Sequence, residues 1–435
     1  MRVWPRPRTV GLALVALLAG CSTSPAPDDR APAQPAPPAE APAALAPVAV
    51  AVPAGLAQAP FDEPRQAMVP AGWALSVWAR IPQARLAVWT PDGALLVSVP
   101  ASGQVLRLAP NRGATPSQSA LLDGLDQPHG LAFAGSTLYV AESDQVDAYD
   151  YANGTATHTR TVAGGLPDAE SRELRGEYAH ALKSVAIGQD GVVYFSIGST
   201  GNISAEDRNA NPPRATIMRV PVGGGPPQPF ATGVRNGTGL AIAPDGAVWT
   251  AVNNRDNISY PEPGPSYGRV IPDYVNDHPL EAVARLTPGR ELGWPYCNPD
   301  GGPANVAFVR DVQTNADGSK LDCSTLPPVE QSLAAHSAPL GMSFVDGGLP
   351  EPYAHGALVG VHGSWNRQPP QAPEVSFFAW QNGDLGNQQT LVGGFQAADG
   401  SRWGRPVAAV AGPDGAVYIT DDYAGAVYRL APPGR

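Results

Sequence analysis

Residues 175–202, RGEYAHALKSVAIGQDGVVYFSIGSTGN, decide the architecture. An apolar run, VAIG (185–188), is followed by a turn, QDG (189–191), and a second run, VVYFSIG (192–198). Asp-Gly between two β-rich runs reads as a hairpin, because glycine accepts the positive φ that a tight turn demands. His180 stands just before the first strand, and the polar tail STGN (199–202) follows the second.

Working outward, nearly the same unit recurs. It appears at residues 84–108, 129–149, 182–199, 238–258, 340–366 and 406–430, for example as TGLAIAPDGAVWTAVNNRDNI and PVAAVAGPDGAVYITDDYAGAVYRL. Each copy is strand, glycine-containing turn, strand and polar loop, and no long amphipathic helix interrupts them. Repeated period-2 strands predict an all-β fold, a six-bladed β-propeller, in preference to a sandwich or two β domains. The lone alternating stretch LSVWAR (75–80) is expected to complete the last blade and close the ring. Propellers bind ligands at one end of the central channel, so the long inserts 256–294 and 298–336 are where a site is expected to be walled in.

The N-terminus has a different character. Arg2, Arg6 and Arg8 precede an apolar run (10–20) too short to span a bilayer, which ends in LAGC at Cys21. This resembles a bacterial lipoprotein signal, residues 1–20, with Cys21 as the lipidated first residue; an ordinary signal peptide with an incidental cysteine is the alternative. Of the 39 residues from Ser22 to Pro60, 24 are Pro or Ala, so residues 21–60 read as a disordered tether and 61–435 as the propeller. These features place the protein in a bacterial cell envelope, held at the membrane, with the periplasmic side of the outer membrane expected, through a lipid anchor only.

Net charge is −11 with no basic block, which argues against nucleic acid as a partner. Lysine occurs only at 183 and 320, leaving anion recognition to arginine or backbone amides. Besides Cys21 the chain has Cys297 and Cys323, and an isolated pair in an exported protein reads as a disulfide.

The candidate chemistry lies before the inner strands. A histidine base such as His180 suits proton abstraction from an alcohol, although a lone histidine is more often structural. Arg235 and Asn236, at the matching place in the fourth blade, offer a carboxylate fork and an amide. The run NNRDN (253–257) supplies hard oxygens of the kind Ca2+ favours, without EF-hand spacing. His336, His362, Trp365 and Arg367 introduce or follow the fifth blade as candidate pocket walls, and Arg402 and Arg405 precede the sixth. No dinucleotide-binding glycine motif, G-x-S-x-G, H-E-x-x-H or C-x-x-C-H is present.

In chain order HALKSVAIG, RNGTGLAIAPDG, NRDN, LGWPYC, AHSAPLGMSF, HGSWNR and GRPVAAVAGPDGAVYITDD together resemble the soluble PQQ-dependent sugar dehydrogenases, in particular the sorbosone (aldose sugar) dehydrogenase branch. The resemblance runs from about Gly72 to Leu430. It implies pyrroloquinoline quinone (PQQ) with Ca2+ over the channel and oxidation of a sugar or related alcohol or aldehyde, His180 taking the hydroxyl proton as hydride passes to the quinone. It further implies that Arg235, Asn236, Arg405 and, more loosely, Arg367 contact the cofactor. Backbone carbonyls of Asn254 and Arg255 fall at the calcium, and Gln127 and His129 fall at the first-blade pocket residue, with His336 and Trp365 completing the substrate pocket. A small sugar and an envelope quinone or cytochrome as electron acceptor are the implied partners. Three positions depart from the glucose-oxidising relatives: Ala179 replaces an acid, Val407 an arginine and Ala408 an aspartate. These departures keep a non-catalytic binding propeller open as an alternative, with a Ca2+-dependent lactonase-type hydrolase behind it.

Overall fold

A computed structural model of the chain describes residues 44–435, apart from 112, 113, 173, 175 and 177. The signal, Cys21 and the first half of the tether lie outside the described residues. Six sheets, antiparallel but for one short parallel strand added to the third, follow one another in chain order around a ring, a six-bladed β-propeller. The third blade is representative. Its strands Val185–Ile187, Val193–Ile197, Thr216–Val220 and Gln228–Thr232 run from the channel outward.

The hairpin chemistry recurs as read. Asp190 Oδ1 accepts from Val192 N at 3.1 Å and Gly191 holds φ +84°. Asp245 and Asp414 make the same bond to Ala247 N (2.9 Å) and Ala416 N (3.3 Å), with Gly246 and Gly415 also at positive φ. An Asx bond followed by a left-handed glycine turns the chain without strain, so the first corners of these three blades are encoded locally.

The sixth blade is closed as expected. Its strands Pro406–Ala411, Val417–Asp421 and Ala426–Ala431 receive Ala74–Arg80 as the outermost strand, with Leu75 opposite Leu430 and Ala79 opposite Val427. Joining the two ends of the chain in one sheet removes the free edges of an open ring. Apolar side chains from facing blades pack together in continuous clusters. Where inner strands converge, small residues are required: a Cβ on Gly130 would meet Val185 N at 2.6 Å, and one on Gly341 would meet Ala408 Cβ at 2.5 Å. The narrow channel they leave holds a 240 Å3 cavity lined by Ala87, Ala132, Ala186, Ala241 and Ala408 among others.

Two features differ from the sequence reading. The tether does not reach Pro60. Leu45–Ala49 pairs with Gln66–Pro70, Val50 is buried, and Ala51 bridges to Ser76 on the last blade. Alternating Val48, Val50 and Val52 supply an apolar face that the Pro/Ala composition masked, and Phe61 then packs edge-on to Trp403 and Tyr428, with Arg80 over its ring. Second, the two long inserts differ in kind. The first carries the one α-helix among the described residues, Pro272–Asp277. The other adds Cys297–Asp300 and Ala304–Arg310 to the outer edge of the fourth blade, where Cys297 and Cys323 form the expected disulfide.

Candidate active site

The residues just before the inner strands gather at one end of the channel, because neighbouring blades are stitched there by side-chain bonds to backbone. Ser98 Oγ donates to His129 O (2.8 Å), Ser184 Oγ to Thr238 O (2.7 Å) and Thr420 Oγ1 to Arg85 O (2.5 Å).

His180 is held by residues 198–200. Tyr178 Oη donates to Gly198 O (3.0 Å), Ala179 N to Thr200 O (2.9 Å), and His180 Nδ1 lies 2.9 Å from both the carbonyl and the hydroxyl of Ser199. Ser199 Oγ itself donates to Gly201 O, and a carbonyl only accepts, so the proton sits on His180 Nδ1 and Nε2 keeps its lone pair. Burial, and then the positive charge of Arg235, push this imidazole down to about 3, keeping it neutral. Gly198 permits the approach, since a Cβ there would lie 2.6 Å from His180 Cβ.

Arg235 is buried. Its Nη1 donates to Asn253 O (3.0 Å) and Nη2 to Asn202 Oδ1 (3.2 Å), while Nε is buried with no partner among the described residues. Asn236 is buried beside it, its Oδ1 facing Gly198. A buried guanidinium N–H without an acceptor is costly, and a bound anion would supply the acceptor.

Residues 253–256 are fixed at every position. Asn253 N donates to Asn236 O (3.0 Å), and Asn254 N donates to Glu281 Oε2 (2.5 Å). Asn254 Nδ2 donates to Leu280 O (2.8 Å), and the Arg255 side chain is buried on Asp311 (2.5 Å) and Gln313 (2.8 Å). Asp256 N and O both bond to the Asn202 carboxamide. The carbonyl oxygens of Asn254 and Arg255 accept no hydrogen bond among the described residues. Two free carbonyls on a rigid turn form a hard-oxygen donor set suited to Ca2+.

Across the mouth a second network was missed by sequence reasoning. Asp422 accepts from Arg85 (2.7 Å) and bonds His362 Nε2 (2.8 Å). Burial raises Asp422, but these two partners outweigh it and hold the carboxylate at about 2. Arg405 donates from Nε to His362 O (2.9 Å) and keeps Nη1 unpaired among the described residues. Val407 is buried in the channel wall, so no second arginine stands there; burial first, then the charge of Arg402 and, more weakly, that of Arg85, depress Arg405. The signal for Arg85 was available: it precedes the first inner strand as Arg235 and Arg405 precede theirs.

Three expected site residues are corrected. His336 has both ring nitrogens engaged, Nδ1 with Asp256 Oδ1 (3.0 Å) and Nε2 with Val275 O (2.6 Å), so it braces the insert instead of lining a pocket. Arg367 spends its donors on Asn276 O, Pro369 O and Asp277 Oδ1, stitching the insert to the fifth blade and leaving no free fork for a cofactor. His129 is wholly buried, with Nδ1 on Lys183 O (3.1 Å) and Nε2 unpartnered, so it lies beneath the mouth. Gln127 is half-buried in a left-handed backbone conformation (φ +46°), strain of a kind that clusters at functional sites. Trp365 stands 75% exposed between Ser364 and Asn366.

Residues 67–432 match the TrAA12-like family, and the chain belongs to it. It is 25% identical over 370 residues to a pyrroloquinoline quinone-dependent pyranose dehydrogenase of Coprinopsis cinerea, covering 73% of this chain and 48% of that protein. The chain thus spans about half the length of this curated relative. The holo pyrroloquinoline quinone domain of the Coprinopsis pyranose dehydrogenase superposes with a TM-score of 0.69 at 22% identity, covering 84% of this chain and 97% of that one. A calcium structure of the Trichoderma reesei family AA12 enzyme gives 0.68 at 20% identity, covering 84% and 96%. At these identities the two structures speak for the fold alone.

Proposed function

We propose that the chain is a PQQ- and Ca2+-dependent dehydrogenase of sugars or related alcohols and aldehydes, anchored in a bacterial cell envelope through Cys21 and passing electrons to an envelope acceptor. Family membership and the Coprinopsis relative support the sugar and the cofactor. The observation that carries the reading is the pairing of an open histidine base with a buried, partly unsatisfied arginine at the channel mouth.

The residues present fit both groups. Arg235 Nε, Asn236 and the free end of Arg405, with Arg85 nearby, would receive an anionic, carboxylate-bearing cofactor. The carbonyls of Asn254 and Arg255 would hold the cation. When bound, PQQ with Ca2+ as a Lewis acid supplies an acceptor for the two electrons leaving the substrate carbon. His180 Nε2 takes the proton of the substrate hydroxyl, a contribution of about 10²–10⁴ in rate. The Ser199 carbonyl accepts the Nδ1 proton throughout, so it fixes the tautomer and stabilises the imidazolium once Nε2 is protonated. Ala179 places no carboxylate next to the base, and burial, with the positive charge of Arg235 adding to it, keeps the resting base neutral.

Dye reduction by a panel of aldoses tests this, using the full chain with PQQ and Ca2+ added. Sugar-dependent reduction requiring both additions is expected. Failure of the chain to bind PQQ in the presence of Ca2+ would leave a binding propeller.

A further inference from the structure

We propose that Asn202 is a positioning residue that sets the cation-binding carbonyl of Arg255 in register with Arg235 and His180; the inference rests on the function proposed above.

The Asn202 side chain makes three bonds that converge on the turn. Nδ2 donates to Asp256 O at 2.8 Å, Oδ1 accepts from Asp256 N at 2.8 Å, and the same Oδ1 accepts from Arg235 Nη2 at 3.2 Å. A carboxamide bonded to both the N–H and C=O of one residue acts as a short strand partner and fixes both peptide planes of Asp256. The plane preceding Asp256 contains the Arg255 carbonyl, so that oxygen is aimed by the bond to Asp256 N. The backbone of Asn202 is anchored in turn, its carbonyl accepting from Trp294 Nε1 at 3.2 Å.

Three residues upstream, Ser199 holds His180 through its carbonyl and donates its N–H to Arg235 O at 2.8 Å. One short segment, 199–202, therefore contacts the base, the anion-binding arginine and the cation turn. Neither the Asn202 side chain nor its backbone needs to touch cofactor or substrate to act. Groups that orient metal ligands from behind change metal affinity by about 10–100-fold when removed.

Titration of the full chain with Ca2+ alone, without quinone, followed by calorimetry and by the calcium-induced rise in Tm, tests this. Asn202→Ala is expected to weaken calcium binding about 10–100-fold. Gln331→Ala, which removes another buried amide bonded to Leu385 O, controls for general destabilisation and is expected to bind like wild type. Asn202→Asp guards against an unfolded alanine variant and separates geometry from charge. It keeps the acceptor for Asp256 N, loses the donor to Asp256 O and adds a negative charge. Positioning predicts weaker binding, whereas electrostatics alone predicts tighter. Calcium affinity of Asn202→Ala within threefold of wild type, or tighter binding by Asn202→Asp, overturns the role of Asn202 alone. A wild-type chain without any calcium response overturns the proposed cofactor set and this inference with it.

Discussion

The carboxamide of Asn202 pairs with the backbone of Asp256 as a neighbouring strand would, accepting from its N–H and donating to its C=O, each at 2.8 Å. Asn202 ends the polar tail of the third blade and Asp256 begins the insert of the fourth, so the bond ties the loop that holds His180 to the turn that carries the free carbonyls. Function here depends on how these two loops are held relative to one another, and single substitutions at the joints test it.

Gly198→Ala should damage the base without touching substrate. The new Cβ would lie 2.6 Å from both Cβ and O of His180, and neither is the flexible end of a side chain. Overpacking of this kind costs about 1–3 kcal/mol, and displacement of the imidazole should lower kcat at least tenfold. Steady-state kinetics beside urea denaturation checks both; unchanged kcat would show that His180 does not depend on this contact.

Arg367→Ala should loosen the insert and spare cofactor affinity. The guanidinium links Asn276 and Asp277 to the fifth blade and has no free donor edge. Limited proteolysis should cut faster within residues 260–278, while PQQ binding followed by absorbance stays within about threefold, less than the 1.4 kcal/mol that a tenfold loss represents. A large loss of quinone affinity would return Arg367 to the cofactor.

His129 should make the fold acid-sensitive. Full burial, with the charge of Arg85 adding to it, pushes its imidazole down to about 3. The unfolded chain therefore binds a proton below about pH 6.5 that the folded chain refuses, and stability falls as pH drops from 6.5 toward 3. At pH 5 the contribution is about 2 kcal/mol. His129→Gln should flatten this slope in denaturation curves measured from pH 7 to 5, and an unaltered slope would contradict the buried neutral state.

The Cys297–Cys323 bridge closes a 26-residue separation at the outer edge of the fourth blade. Its removal in the double alanine variant should cost about 3.5 kcal/mol by loop entropy. Calcium and quinone binding at low denaturant should survive. Loss of binding in a folded variant would place the edge strands in the site.

The ring was legible because each blade carries its own glycine-containing corner and alternating strands, and because residues 75–80 had no partner nearer than the last blade. That His180, Arg235 and Arg405 share a place before inner strands was legible from the repeat. His336 and Arg367 were misread because their partners, Asp256, Val275, Asn276 and Asp277, lie in an insert whose path no local pattern reveals. Arg85 sits in a copy without a flanking polar motif, and its partner Asp422 is 337 residues away. The tether was drawn too long because Pro and Ala dominate a stretch whose few apolar residues alternate onto one face.

The most direct test of the account is a comparison of wild type and His180→Ala, each loaded with PQQ and Ca2+, in a single turnover with a reactive aldose. Quinone absorbance would be followed from pH 5 to 9. Both proteins should bind the quinone equally, the wild type should bleach on addition of sugar, and the variant should be slowed by about 10²–10⁴. Because burial and Arg235 hold His180 well below the usual histidine range, the wild-type rate should show no acid limb near pH 6.5. Equal bleaching in both proteins would contradict His180 as the base, and with it the central claim.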